Sequence, residues 1–343
     1  MRIAIITDAG FPQINGVVTT LSNTRDQLEQ LGHRVLMVTP QSFRTIPCPT
    51  YADIRLAVRP RTKLRELLDT FVPEAIHIAT EGPLGLAGRA CCQAQRLPFT
   101  TSFHTRFPEY VYLRFRVPLR VTYGFLRWFH RPAVRTLVST ASLRAELSRD
   151  GFAHLALWSR GVDTELFCPR PKDFLDDPRP IFAYVGRVAV EKNVEAFLRL
   201  DLPGTKYVIG DGPQLAELRD KYPEVRFPGR KIGVELARHL AAADVFVFPS
   251  RTDTFGLVML EALACGVPVA AYPVPGPLDV IRHGETGCLD EDLGRAASSA
   301  LSIDSQRCRE HALRSSWRET TGQFLGHLAP IPVPSSRPVP SPG

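Results

Sequence analysis

Nowhere does the 343-residue chain run for about 18 apolar residues without a charge, so no segment can serve as a membrane-spanning helix. Its richest apolar run, Leu257 to Pro273, is broken by Glu261 and Pro268. The seven cysteines are odd in number and show no Cys-x-x-Cys pair and no Cys/His ligand spacing. That argues against a disulfide framework or a zinc ribbon and suits reduced, small apolar residues in a cytoplasmic protein. The apolar run in Met-Arg-Ile-Ala-Ile-Ile is too short for a signal peptide and reads as a strand. There is no short internal repeat of the kind that builds solenoids. An Asp-x-Asp placed to hold a metal–nucleotide complex is missing too, since Asp176-Asp177 falls in a linker.

What is present is ordinary globular material: 44% hydrophobic and 22% charged residues, enough for about two domains. The net charge is +7, and the excess is local. Seven arginines lie between Arg106 and Arg135, opposed only by Glu109. A concentrated patch says more about a partner than a diffuse excess does.

Short β-branched runs alternate with helical patterns. Strands are expected at 3–7, 35–39, 75–79, 99–103 and 137–140, with helices such as 18–31 and 84–95 between them. The pattern restarts with strands at 181–185, 206–209, 245–248 and 267–271. Alternation of this kind with strands apolar on both faces predicts an α/β fold of two doubly wound parallel sheets. The expected division is 1–166 for one domain and 167–304 for the other, the second opening on a Pro-rich, charged linker. A helix over about 305–328 is expected to cross back to the first domain. A Pro-rich tail, 329–343, is expected to lie outside any core.

Two such domains leave a cleft, and ligands in open α/β sheets sit where strands end and helices begin. Gly16 opens a helix after the first strand, where a backbone can approach a phosphate; it is equally a plain loop glycine. His104 follows the fourth strand in Ser-Phe-His-Thr and suits either a sugar hydroxyl or a structural hydrogen bond. Gly186-Arg187 and Lys192-Asn193 follow the first strand of the second half, and two cations there can grip a diphosphate. Gly210-Asp211-Gly212-Pro213 reads as a tight turn under the cleft. In Ser250-Arg-Thr-Asp253-Thr-Phe255-Gly256-Leu257, Asp253 precedes a helix whose first amides are free for a phosphate. Asp253 also suits an N-cap. Glu261 lies about two turns inside that apolar helix, where a carboxylate needs a partner; a ribose diol or a backbone group would serve.

These segments together resemble the retaining glycosyltransferases of family 4, which have the GT-B fold of two Rossmann-like domains facing across a cleft. The carrying residues are Asn15-Gly16-Val17, His104, Gly186-Arg187 with Glu191-Lys192-Asn193, Gly210-Asp-Gly-Pro, and Ser250 to Gly256 followed by Glu261-Ala. The resemblance covers residues 1 to 328 and is nearest to the mannosyltransferase-like members that modify lipids and glycans. It implies a catalytic set of His104, Arg187, Lys192 and Asp253. It implies a donor site of Gly16, Arg187, Lys192, Asp211, Asp253, Phe255, Gly256, Leu257 and Glu261. Arg187 and Lys192 would hold the diphosphate, and Gly16 would approach it from the first domain. His104 would lie near the sugar 6-hydroxyl, Asp253 at the 3- and 4-hydroxyls, and Glu261 at the ribose. The family's usual Glu-x7-Glu begins here with Asp253, one methylene shorter.

The expected reaction is transfer of a hexose from a nucleotide sugar to a lipid or glycan acceptor. GDP-mannose is the first donor expected and a UDP-hexose the second, with no cofactor and no metal. Charge on the departing diphosphate would be met by Arg187 and Lys192. No side chain stands out as a nucleophile, so same-face substitution is expected. A sugar-nucleotide epimerase or a non-catalytic sugar-binding module are the alternatives. Arg120, Arg127 and Arg131 recur at helical spacing beside Phe125, Trp128 and Phe129, which suits an anionic membrane surface as well as a solvated face. Nucleic acid is not expected as a partner, for want of a recognisable binding motif.

Overall fold

The computed structural model describes residues 1–10, 13, 15–48 and 51–332. The first half runs β1 (Arg2–Ile6), α1 (Gly16–Gln30), β2 (Arg34–Val38), β3 (Thr45–Cys48), β4 (Tyr51–Ala57), α2 (Arg61–Phe71), β5 (Ala75–Ile78) and α3 (Pro83–Gln95). It continues with β6 (Thr100–Phe103), α4 (Phe107–Phe115), α5 (Leu119–His130), β7 (Arg135–Val138), α6 (Ala141–Arg149) and β8 (Leu155–Leu157). Six of these strands form a parallel sheet in the order β2-β1-β5-β6-β7-β8, while β3 and β4 pair as a separate antiparallel hairpin.

The second half runs β9 (Ile181–Val185), α7 (Val194–Leu198), β10 (Thr205–Ile209), α8 (Leu215–Lys221), α9 (Gly233–Ala242), β11 (Val245–Phe248) and α10 (Leu257–Ala264). Then come β12 (Val269–Ala271), α11 (Pro277–Val280), β13 (Gly287–Leu289), α12 (Leu293–Ala300), α13 (Ser305–Ala312) and α14 (Trp317–His327). Its sheet is parallel throughout, in the order β10-β9-β11-β12-β13.

Strand periodicity of two explains the cores. In β9, Ile181, Ala183 and Val185 face one core, with α9, α10 and α13, while Phe182 and Tyr184 face the other, with α7, α8 and α12. In β1, Ala4 and Ile6 meet Leu64, Leu68 and Leu84 of α2 and α3. Ile3 and Ile5 meet Leu21 and Leu28 of α1 and Phe324 of α14. Each sheet is thus buried on both faces, which is why its strands are uniformly apolar.

The chain beyond residue 304 corrects the expectation of one long helix. Ser305–Ala312 packs on the second domain, where Cys308 and Ala312 are buried among α10 residues. Only Trp317–His327 crosses back to the first. The break has a cause: Arg314 and Ser315 turn through 3₁₀-type amide bonds, and Ser316 caps α14 through Glu319 N at 3.1 Å. The tail also differs at its start. Ala329 is buried, Ile331 N donates to Glu74 O at 2.7 Å, and Pro330 bridges Ala75 beside β5. The rest of the Pro-rich tail, 333–343, lies outside the described residues.

Both sheets reverse their strand order. The first does so between β1 and β5, the second between β9 and β11. Such switch points open crevices at the carboxyl ends of the strands.

Candidate active site

The two crevices differ in what already fills them. At the first, Asp8 follows β1 and is buried. Its carboxylate accepts from Leu84 N at 2.8 Å, Gly85 N at 3.3 Å and Thr80 Oγ1 at 2.9 Å. The start of α3 therefore already holds an anion. Burial raises the Asp8 pKa, against the pull of those hydrogen bonds. At the second, the amides of Phe255, Gly256 and Leu257 donate to no protein acceptor among the described residues. The N-terminus of α10 is thus free to take a phosphate or a hydroxyl oxygen.

Close packing of glycines builds the floor of this second crevice. A Cβ on Gly210 would sit 1.8 Å from Gly186 O, so the loops after β9 and β10 touch backbone to backbone. Val188 N donates to Asp211 O at 2.9 Å and Gln214 N to Val188 O at 3.1 Å. Arg187 is half-buried on this floor, with its carbonyl held by the Tyr184 hydroxyl at 2.8 Å. Gly256 takes a φ of 79°, and a side chain there would meet Phe248 and Met259 at 2.8 Å.

Lys192 ends a 3₁₀ turn, Val190–Lys192, and its ammonium pairs with Asp253 Oδ1. Burial opposes the Lys192 charge, but Asp253, with Tyr110 and Tyr184 adding to it, holds the pKa above the ordinary value. The other Asp253 oxygen, Oδ2, is buried without a partner. The loops after β9 and β11 are tied by Asn193 Nδ2 to Pro249 O at 3.1 Å and by Thr252 Oγ1 to Glu191 O at 3.0 Å. Glu261 is half-buried in α10 and makes no side-chain hydrogen bond among the described residues; burial pushes its carboxyl up to about 7.

The first domain closes over this crevice. Thr254 Oγ1 donates to His104 O at 2.7 Å, and Ser139 Oγ donates to Thr254 O at 2.9 Å. Tyr110 of α4 reaches Thr252, and burial pushes its hydroxyl up to about 12. A Cβ on Gly16 would lie 3.5 Å from Leu257 Cδ1, so the N-termini of α1 and α10 face each other. Asn15 caps α1 at Val17 N and Val18 N, both 3.0 Å. His104 accepts at Nδ1 from the buried Arg160, at 3.1 Å, and its Nε2 is buried with no hydrogen-bond partner among the described residues.

Gly16, His104, Arg187, Lys192, Asp253, Phe255, Gly256 and Leu257 therefore gather around one interdomain cleft, and Glu261 lies one turn further along α10. Asp211 does not join them by its side chain: it is exposed and holds Gly212 N at 2.7 Å within its own turn. Arg120, Arg127 and Arg131 lie on α5 and its C-cap. Arg120 and Arg131 are exposed, whereas Arg127 donates to Asp150 O at 3.2 Å. Phe129, expected beside them on the surface, is fully buried. Arg160 and Tyr110 were missed by the sequence reading, and Thr252 and Thr254 stand inside the Ser250–Gly256 segment without an assigned role. Each meets the site through a neighbour distant in the chain, and no local pattern announces that contact.

Two facing doubly wound domains with a basic, helix-capped crevice between them define a glycosyltransferase of the GT-B fold. The solved sucrose-phosphate synthase from Thermosynechococcus elongatus superposes with a TM-score of 0.75, covering 95% of this chain and 97% of that one at 22% identity. The families described as Glycosyltransferase Family 4 and Glycosyl transferases group 1 match residues 14–166 and 179–303. The chain belongs to glycosyltransferase family 4. It is 30% identical to the GDP-mannose-dependent alpha-mannosyltransferase of Mycolicibacterium smegmatis, over 96% of this chain and 98% of that protein. It is 29% identical to the alpha-monoglucosyldiacylglycerol synthase of Streptococcus pneumoniae, over 95% of this chain and 84% of that protein. Among the described residues no helix is long and apolar enough to cross a membrane.

Proposed function

We propose that this glycosyltransferase moves a hexose, mannose first, from a nucleoside diphosphate sugar to a lipid or glycan acceptor with retention at the anomeric carbon. The observation that carries the donor reading is the contrast between the two switch points. One helix start is filled by Asp8, while the other is free and stands beside Lys192. Of the two switch points, the second is the one that supports a diphosphate. GDP-mannose leads because the mycobacterial relative is named for it, and a UDP-hexose is second.

In this reading Lys192 leaves Asp253 for the diphosphate, joined there by Arg187. The negative charge of the leaving nucleotide is then met by fixed cations and the α10 amides. Asp253, released, accepts from sugar hydroxyls through both oxygens. His104 donates from Nε2 to a sugar oxygen, Gly16 lets α1 approach the phosphates, and Glu261 takes the ribose diol. Asp211 serves the site by shaping the turn under it. Same-face substitution is the retaining route, with the leaving diphosphate assisting the incoming hydroxyl. Closure of the first domain excludes water from the donor.

The outer face of α5 supplies the acceptor side. Arg120 and Arg131 lie on one stripe, with exposed Val121 and Trp128 beside it, which suits docking on anionic lipid as a peripheral protein. Arg89 stacks on the Trp128 ring at 3.8 Å and adds to that charge.

A thermal-shift panel of GDP, UDP and their sugars tests the donor reading, since a ligand bound only by the folded state raises Tm. The expected result is a shift with GDP and GDP-mannose that disappears in Lys192→Ala. No shift with any nucleotide sinks the reading. Sedimentation with phosphatidylglycerol vesicles, compared with phosphatidylcholine vesicles, tests the α5 face. Binding that survives Arg120→Glu with Arg131→Glu would place the membrane contact elsewhere.

A further inference from the structure

Arg160 is a buried guanidinium, 4% exposed, with no carboxylate partner among the described residues. It lies just beyond β8. One terminal nitrogen donates to the carbonyls of Trp158 and Ser159, the latter at 2.9 Å. The other donates to His104 Nδ1 at 3.1 Å. The guanidinium also stacks on the Trp158 ring at 4.6 Å, and the same ring meets the His104 ring edge-on at 5.6 Å. Trp158 is itself locked against Phe324 of the returning helix α14, at 4.8 Å. An isolated buried cation is costly. Two carbonyls, an aromatic face and a histidine lone pair are what offset it here.

The donor inventory makes this contact decisive. A guanidinium has five N–H donors and no acceptor. The atom it meets on His104 must therefore present a lone pair. A neutral imidazole whose Nδ1 is a lone pair carries its proton on Nε2, and that is the atom buried without a protein partner.

We propose that Arg160 is a positioning residue that locks His104 in the neutral Nε2–H form, so that the cleft presents one fixed donor to an acceptor oxygen of the transferred sugar. The use of that donor rests on the reading of His104 as a sugar contact; the lock itself does not. Protonating His104 would set an N–H against the Arg160 N–H. Burial first, then the charge of Arg160, then His77 depress the His104 pKa well below its ordinary value. His77 is itself buried, bonded on both nitrogens to Thr100 and Ser102, and held down at about 3, so it stays neutral. Burial pulls Arg160 down to about 9, which leaves it charged at neutral pH. The donor contact is therefore independent of pH across the physiological range.

Long-range ¹⁵N–¹H spectra of the ¹⁵N-labelled full chain, with His104 assigned through His104→Phe, read the tautomer directly. In the unaltered protein the expected result is a single neutral Nε2–H form from about pH 5.5 to 8, where a free histidine would titrate near 6.5. An Nδ1–H form, or an imidazolium in that window, overturns the lock with no variant needed. Arg160→Met removes the donor. Burial still opposes its charge, but with no donor facing Nδ1 His104 should populate an Nδ1–H form as well, and kcat/KM for donor should fall about tenfold at pH 7.5. Arg160→Lys should restore part of both. A His104 that stays locked in Arg160→Met overturns the proposal. If His104→Phe keeps full kcat/KM, the sugar-contact reading fails, and the spectra still decide the lock on their own.

Discussion

Glu261 and Lys192 are both half-buried ionisable groups, and they respond to burial in opposite ways because only Lys192 has a charged partner among the described residues. Glu261 makes no side-chain hydrogen bond there, so its pKa rises to about 7 from an ordinary 4.5. The folded chain holds that proton more tightly than the unfolded one. Stability from this group is fully present below about pH 4.5 and is lost as pH rises through about 7. Urea unfolding of the free protein should show that loss, and Glu261→Gln should flatten it. On the proposed ribose role nucleotide should reverse the sense: a ribose diol would donate to the ionised carboxylate, so the Tm gain from the cognate nucleotide should be larger at pH 8 than at pH 6. An equal gain at both would remove Glu261 from the ribose site. Lys192 has Asp253. Removing one member of a buried pair leaves the other charged and alone, at a cost of about 3 kcal/mol or more. Lys192→Met should lose that much in chemical denaturation. Adding Asp253→Asn should recover most of it while donor turnover stays absent. Recovery of turnover in the double variant would contradict the roles assigned to both.

The strands and helices that carry the site were legible because each is apolar on the faces it buries. Ile181–Val185 and Val245–Phe248 match their expected limits, and β1, β2, β5 and β6 differ by a residue or two at their ends. What escaped notice was short or exposed. β3 and β4 form a two-strand hairpin containing Pro47, β8 has three residues, and β13 begins at Gly287. β8 and β13, at three residues each, have no room for an alternating pattern, and β4, at seven, carries Asp53 and Arg55 among its apolar residues. The site was legible where a strand ends in a charge or a glycine. It was not legible where a contact joins residues distant in the chain, across the cleft for Tyr110 and Thr254 and within the first domain for Arg160. The glycine turns test how far element packing makes the site. Gly210→Ala drives a methyl into Gly186 O, where no flexible side chain can yield. Loss of about 3 kcal/mol or more is expected, with donor affinity falling because the Arg187 loop must move. Asn15→Ala removes only a helix cap, and about 1 kcal/mol of stability is expected to go with it. Equal Tm losses in the two would mean that the backbone contact at Gly210 is not rigid.

At the scale of the whole molecule, the two domains are joined by α14 at the back and by a few polar contacts at the front. Trp317–His327 packs into the first core, and His327 Nε2 donates to Leu157 O at 2.8 Å. The front contacts are few, one set buried at Thr254 and one exposed. Besides the Thr254 pair, the carboxylate of Asp279 in α11 takes both the hydroxyl and the amide of Ser142, the amide at 3.1 Å, on the first turn of α6. A carboxylate at a helix N-terminus in solvent contributes about 0.3–1 kcal/mol. That is too little to hold a fold and enough to bias a hinge, since about 1 kcal/mol is close to fivefold in population. Asp279→Ala should therefore leave the unfolding midpoint nearly unchanged. It should widen the nucleotide-free protein in small-angle scattering and raise the donor KM a few-fold, with kcat altered less. Saturating nucleotide should restore the compact form, because ligand bridging the cleft supplies the contact that Asp279 no longer makes. A variant as compact as the parent without nucleotide, and with the same KM, would mean that closure depends on the buried Thr254 bridge alone.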